Sequence, residues 1–319
     1  MKDRVLRRQD RPEPVLMLAV RGREPGTLIA VEASTPAQQA ALLDPAERLP
    51  SDEPLAVLAP QRIPLPGGPW TWQPADRELP SALRSLHVVL VVGHYLPAGS
   101  LAVRWAGDLR ADVVVVQHGL LTPYAPPLPH GATVLAFGDA DLEFLRAGRN
   151  DLRGYVVGSQ LLWNALQTST ARDTDAEAPP VYLGQLHGAE MGRSRKAASA
   201  SEFLRDTGAS YRPHPSENDI LSRLQHERWR RRGITIDDGS IPLKDLDRPV
   251  VSIFSTGILE AAVRGLPAWS HYARPPAWLE AFWDRYGIHR WGDTPTLAPQ
   301  TPSREPAQAI ADHLLRSRR

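Results

Sequence analysis

The chain has no cysteine, only three lysines and no excess of charge of either sign. Without cysteine there is no disulfide, no thiolate nucleophile and no Cys-ligated zinc or iron–sulfur site, so thiol redox chemistry is excluded. The lysines are Lys2, Lys196 and Lys244, and arginine carries the rest of the positive charge. This excess of Arg, Ala and Pro reads as a genome composition bias rather than a function. With 37 basic against 36 acidic residues the net charge is +1, which gives no field to draw the chain onto nucleic acid or a membrane. Long apolar runs are lacking as well. Val15 to Val20 is too short for a signal-peptide core or a membrane span, and the first residues, Met1-Lys2-Asp3-Arg4, are charged. A cytoplasmic location is the expectation.

What is present is an alternation of short apolar runs and helical patterns over 319 residues, enough chain for two cores. Val15 to Val20, Leu28 to Val31, Leu55 to Leu58, Val88 to Val92, Val113 to Val116, Val134 to Phe137 and Tyr155 to Val157 read as strands buried on both faces. Helices are predicted at Pro36 to Leu43, Gly99 to Leu109, Asp139 to Ala147 and Leu161 to Gln167. The Pro-rich stretch from Pro60 to Pro80 reads as a surface loop. Residues 169–180 are polar and acidic and end in two prolines, as a linker would.

Beyond it the rhythm restarts. Strands are predicted at Val181 to Leu183, Ala209 to Arg212, Ile234 to Asp237, Val250 to Phe254 and Ala268 to His271. Between and after them come helices Arg195 to Asp206, Glu217 to Arg232, Thr256 to Arg264, Pro276 to Tyr286 and Ser303 to Arg316. The expected fold is α/β: two Rossmann-like domains, 1–168 and 181–319, whose mostly parallel sheets face a central cleft. Trp278, Phe282, Trp283 and Tyr286 fall at helical spacing and read as core.

The motifs sit where strands end. Ser210-Tyr211-Arg212-Pro213-His214-Pro215-Ser216-Glu217 is followed, 41 residues after His214, by Ser255-Thr256-Gly257 between a strand and a helix. A helix N-terminus offers unpaired amides and partial positive charge to an anion, with Arg212 and His214 as countercharge. The plain alternative is that Ser255 or Thr256 only caps the helix. Glu260, one turn further, is placed to accept from ribose hydroxyls, or lies on a solvated face. Gly184 and Gln185, with His187 and Gly188, form a turn that suits close passage of a nucleotide or is an ordinary βα turn. In the first half, Gln117-His118-Gly119 ends a strand, with His118 as a candidate general base; Gly93-His94-Tyr95 ends the strand before it. Asp237-Asp238-Gly239 reads as a turn rather than a metal site. Arg228-Trp229-Arg230-Arg231-Arg232 reads as a solvated face, or at most a weak contact with anionic lipid or polymer.

His214-Pro215 followed by Ser255-Thr256 resembles the His-Pro and Ser-Ser/Thr motifs of bacterial sialyltransferases and polysialyltransferases of the GT-B fold. The Leu183-Gly184-Gln185 turn is similar to one near the start of their donor domain. Gln117-His118-Gly119 with His214-Pro215 is similar to the paired His-Gly and His-Pro of CDP-glycerol glycerophosphotransferases. The resemblance covers roughly residues 181 to 270. It implies a metal-independent glycosyltransferase without a cofactor, taking a CMP-activated sugar and a glycan or surface-polymer acceptor, with no nucleic acid and at most peripheral contact with the inner face of a membrane. His118 and His214 would be catalytic. Gly184, Gln185, Arg212, Pro215, Ser255, Thr256, Gly257 and Glu260 would hold the donor, and Gly93, His94, Gln117 and Gly119 would line the acceptor side. One departure is that the sialyltransferases carry their acidic-acidic-Gly motif in the first domain, whereas here Asp237-Asp238-Gly239 follows the His-Pro. The rival expectations are a CDP-polyol phosphotransferase or nucleotide-sugar epimerase of the same fold, and a catalytically silent nucleotide- or glycan-binding module.

Overall fold

A computed structural model of the chain describes residues 15–167, 178–188 and 190–317. The fold is α/β, built on two sheets. The first sheet contains β1 (Leu16–Arg21), β2 (Thr27–Ala30), β3 (Leu55–Ala59), β4 (Thr71–Ala75), β5 (Val88–Val91), β6 (Asp112–Val116), β7 (Thr133–Ala136) and β8 (Arg153–Val156), in the order β4-β1-β3-β2-β5-β6-β7-β8. From β3 to β8 all neighbours are parallel, whereas β1 and β4 run antiparallel at one edge. Its helices are α1 (Pro36–Gln38), which passes through a π-helical turn (Gln39–Leu43) into α2 (Asp44–Glu47), then α3 (Pro97–Leu109), α4 (Asp139–Arg146) and α5 (Gln160–Gln167).

The second sheet is parallel throughout, with β9 (Val181–Leu183), β10 (Ser210–Arg212), β11 (Val250–Ser252) and β12 (Ala268–Ser270) in the order β10-β9-β11-β12. Around it lie α6 (Arg193–Thr207), α7 (Ile220–Arg230), α8 (Thr256–Val263) and α9 (Ala277–Tyr286); α10 (Pro306–Arg316) closes the described chain. No described helix is long and apolar enough to cross a membrane.

The continuous apolar runs form the middle of the first sheet because each strand there is covered on both faces. Successive residues alternate between two cores. Ile29, Val57 and Leu90 face Leu42 and, from α10, Ile310 and Leu314. Leu28, Ala56 and Val89 face Ala102 and Trp105 of α3. Pro97 at the first turn of α3 starts that helix in the φ range proline favours, and its buried Ala98, Ala102, Trp105 and Ala106 recur at helical spacing. Trp105 is fully buried, and cutting such a side chain back to Ala typically costs about 3–5 kcal/mol.

Three expectations are corrected. The stretch from Pro60 to Pro80 is not all loop: Thr71–Ala75 pairs with β1, and Pro74 is accommodated because β4 is an edge strand. The segment Ile234 to Asp237 makes a single parallel bridge, Tyr211 to Ile236, rather than a strand. The terminal helix does not stay with the second half, since Ala311 and Leu314 bury against Val31, Leu42 and Val57 of the first. The helix α10 thus packs on the first core, with partners ranging from Val31 to Gln160, the latter 147 positions before Ala307, and such separations leave no local signal. The linker expected at 169–180 lies, apart from residues 178–180, outside the described residues.

Candidate functional site

A cavity of about 420 Å³ lies where the carboxyl ends of strands from both sheets converge. Gly93 and Tyr95 after β5, Gln117 to Thr122 after β6, Gln185, His187 and Glu190 after β9, His214 after β10, and Phe254 to Thr256 after β11 line it. Strand ends of parallel sheets are the usual place for a ligand. Of the sequence-derived candidates, Gly93, Gln117, His118, Gly119, Gln185, His214, Ser255 and Thr256 meet here. His94, Gly184, Arg212, Pro215, Gly257 and Glu260 are not among the lining residues.

On the first wall, the buried Gln117 side chain clamps its own loop. Its Nε2 donates to the Gly119 carbonyl at 3.0 Å and its Oε1 accepts from the Phe137 amide at 2.8 Å. His118 is left partly buried without a hydrogen bond to any described residue, and desolvation lowers its pKa, so the ring is neutral at neutral pH. Gly119 faces Thr256 across the cavity: a methyl group built on it would sit 3.9 Å from Thr256 Oγ1. Gly93 makes room for Tyr95, whose ring would come within 2.4 Å of a Cβ there. The Nδ1 atom of His94 is buried away from the cavity lining without a partner. The N-terminus of α3 is filled from within, since the Glu32 carboxylate accepts from the Gly99 amide at 2.6 Å and the Ala98 amide at 3.2 Å.

On the second wall, Ser255 is the N-cap of α8, its Oγ accepting the Gly257 amide at 3.1 Å. The capping alternative is thus realised at Ser255, and one amide expected for the ligand is used. Gly257 is a packing residue, since a Cβ built on it would sit 2.5 Å from Leu183 Cδ1. Gln185 ties β9 to the end of β11, its Oε1 accepting from the Phe254 amide at 2.8 Å and from Ser252 Oγ at 3.2 Å. Gly184 is needed for packing, because the Tyr211 hydroxyl and Glu217 Oε1 would lie 2.5 and 2.7 Å from a Cβ built on it. Arg212 lies near Asp237, which the bridge from Tyr211 to Ile236 brings to 4.0 Å from Arg212 Nη1, but that nitrogen is buried without a hydrogen-bond partner among the described residues. Asp237 and Asp238 accept from the amides of Gly239 and Ser240 at 2.6 and 2.9 Å, as turn residues do. Glu260 sits one turn into α8, where burial, only partly offset by Arg264, raises its pKa to about 7.

Three side chains matter that the sequence reading left without a role. His187 stacks on His214 with ring centroids 3.8 Å apart and planes 22° from parallel. His214 Nδ1 accepts the Ser216 amide at 3.1 Å, which puts its proton on Nε2; desolvation and then His187 hold its pKa down to about 4. Beneath them Glu217 is fully buried and accepts from the Tyr211 hydroxyl at 2.9 Å, the Leu186 amide at 2.9 Å and His226 Nε2 at 3.0 Å. Burial pushes its pKa up, but these donors and His187, whose Nδ1 is 3.8 Å away, outweigh it and bring it to about 2. Glu190 is the one carboxylate among the described lining residues, with Oε2 buried and unpartnered. The signal for Glu217 was in the sequence only as residue types: an acid between Tyr211 and His226 with no spacing rule to join them.

The loop carrying His118 is also gripped from the second half. Tyr286 of α9 donates to Asp141 Oδ1 at 2.5 Å and accepts the Leu121 amide at 2.7 Å, and Arg285 donates to the Leu121 carbonyl. Tyr286 is therefore a latch, not plain core, whereas Phe282 and Trp283 are buried as expected. A second cavity of about 250 Å³ adjoins this latch, lined by Asp141, Arg285, Tyr286 and Pro299 to Pro302 among others. Among the described residues, no three His, Asp or Glu side chains come together as metal ligands would. In comparisons with known proteins, no family model and no curated sequence matches this chain.

Proposed function

We propose that the chain is a GT-B-type glycosyltransferase that moves a sugar, a nonulosonic or ulosonic acid, from a CMP-activated donor to a glycan hydroxyl, with the cavity as its active site. One observation carries this reading: His118 from the first half and His214, Ser255 and Thr256 from the second line the same space. Neutral His118, without a hydrogen bond to any described residue, takes the proton of the acceptor hydroxyl. The acceptor oxygen then bonds to the anomeric carbon as the bond from that carbon to the donor phosphate breaks, and CMP leaves with the electron pair. His214 Nε2–H, the Thr256 hydroxyl and the N-terminus of α8 stabilise the charge that builds on the phosphate.

The test is titration calorimetry with CMP, CDP, UMP and UDP, followed by turnover. Micromolar CMP with uridine nucleotides much weaker supports the reading, and failure to bind any nucleotide sinks it. His118→Ala should leave CMP binding in place and lower donor turnover by about 10² or more. CMP is also the leaving group of a CDP-polyol phosphotransferase, so the donor consumed, CMP-sugar or CDP-polyol, separates these two. A specific observation favours a silent binding module as the second reading: His118 lacks the orienting hydrogen bond that a general base usually has. CMP binding with no turnover of either donor class would select it.

A further inference from the structure

Among the described residues, the cavity lining offers an anion no arginine and no lysine. Among its described lining residues the groups able to carry positive charge are His118, His187 and His214, and Glu190 adds a negative one. Arg212, expected to face the ligand, is not among the lining residues, and its buried Nη1, 4.0 Å from Asp237, makes no hydrogen bond to any described residue. Lys196 is buried, and its Nζ is spent on the carbonyls of His187 and Gly188 at 2.5 and 3.1 Å. A phosphate here must therefore meet neutral dipoles or an imidazolium made on demand.

Geometry picks the imidazole. His118 has an apolar setting and no counterion. His214 spends Nδ1 as an acceptor for the Ser216 amide, a bond that protonation would break. His187 is different: its Nδ1 is buried without a partner and stands 3.8 Å from the Glu217 carboxylate, so a movement of about 1 Å closes an ion pair. The two stacked rings at 3.8 Å cannot both be charged cheaply, and His214 is the one fixed neutral.

We infer that binding of the donor's phosphate is coupled to uptake of one proton by His187, with Glu217 as the buried counterion; this rests on the donor-site reading above. The proton comes from solvent and adds to the imidazole. One ring nitrogen then donates to Glu217 and the other is left for the ligand. The groups that face this event are Glu217 and His214 from the segment after β10, Tyr211 from β10, His226 from α7, Arg193 and Lys196 from α6, Glu190 beside it and His118 across the cavity. Arg193 is taken by Asp219. The low pKa of Glu217 keeps it ionised throughout the range in which a histidine titrates. His187 is accordingly a ligand-contacting residue, and Glu217 a positioning residue acting through it.

The test is calorimetry of CMP binding to the full chain at about pH 7.5 in two buffers of different ionisation enthalpy, where the nucleotide phosphate, with its second pKa near 6, is already a dianion. The expected result is uptake of about one proton per CMP and affinity that weakens up to about tenfold per pH unit as pH rises past neutrality. His187→Asn should abolish the uptake and weaken CMP by about tenfold or more. In the unmodified protein, ¹⁵N spectra of the histidine rings should show His187 passing from neutral to imidazolium as CMP is added, a readout that needs no variant. CMP binding without proton uptake, or His187→Asn with uptake unchanged, overturns the inference alone. Absence of CMP binding by the wild type instead overturns the donor-site reading on which it rests.

Discussion

Two helices begin beside the cavity on opposite walls, and their N-termini are finished differently. That of α3 is filled by the Glu32 carboxylate, which takes the Ala98 and Gly99 amides. That of α8 is capped by the neutral Ser255 hydroxyl, and its nearest helical carboxylate, Glu260, lies one turn inward. A helix N-terminus already holding an acid repels a second anion, whereas one closed by a hydroxyl keeps its partial positive charge for a ligand. On the proposed function, this difference favours the second half for the donor phosphate and leaves the first half for the acceptor.

The comparison is broken most severely by removing the support under the second wall. Glu217→Leu strands the Tyr211 hydroxyl, the Leu186 amide and His226 in the interior and should destabilise the chain by about 3–5 kcal/mol in urea unfolding. Because the folded pKa of Glu217 is depressed, its contribution is full above the unfolded value of about 4.3 and is lost as pH falls toward about 2. A variant as stable as wild type at pH 7 would show that this network carries no weight.

Glu260 gives the opposite sign. Its folded pKa is raised to about 7, so its ionisation costs nothing below about pH 4.3, opposes folding increasingly up to about 7 and is fully felt above that. Glu260→Gln should therefore stabilise the protein by about 1–2 kcal/mol at about pH 8 and leave it unchanged at about pH 4. Equal effects at both pH values would mean that the carboxylate is not desolvated.

The smallest change in stability is the sharpest for function. Ser255→Asp keeps a good N-cap and should alter unfolding free energy by less than about 0.5 kcal/mol. It also makes α8 resemble α3, and CMP affinity should fall more than about tenfold. Retained affinity would mean that this helix end does not meet the phosphate.

The legible part of the fold was local. Val88 to Val91 is a strand buried on both faces and reads as one because four apolar residues in a row have no exposed face to alternate with. β4 was hidden by Pro74 and its exposed residues, which are tolerated only because it forms an edge. The return of α10 to the first core was hidden by distance along the chain. In the site, strand-end motifs converged, but which side chains are free to meet a ligand depended on neighbours far away in sequence. Leu183 fills the space at Gly257, Glu217 the space at Gly184, and Asp237 stands 4.0 Å from Arg212.

The most direct measurement is a crystal structure with CMP soaked in. The account predicts the phosphate within hydrogen-bonding distance of His214 Nε2 and Thr256 Oγ1 at the N-terminus of α8, with the imidazole of His118 on the opposite wall. CMP seated in the cavity beside Asp141 and Arg285, or at the N-terminus of α3, would contradict it.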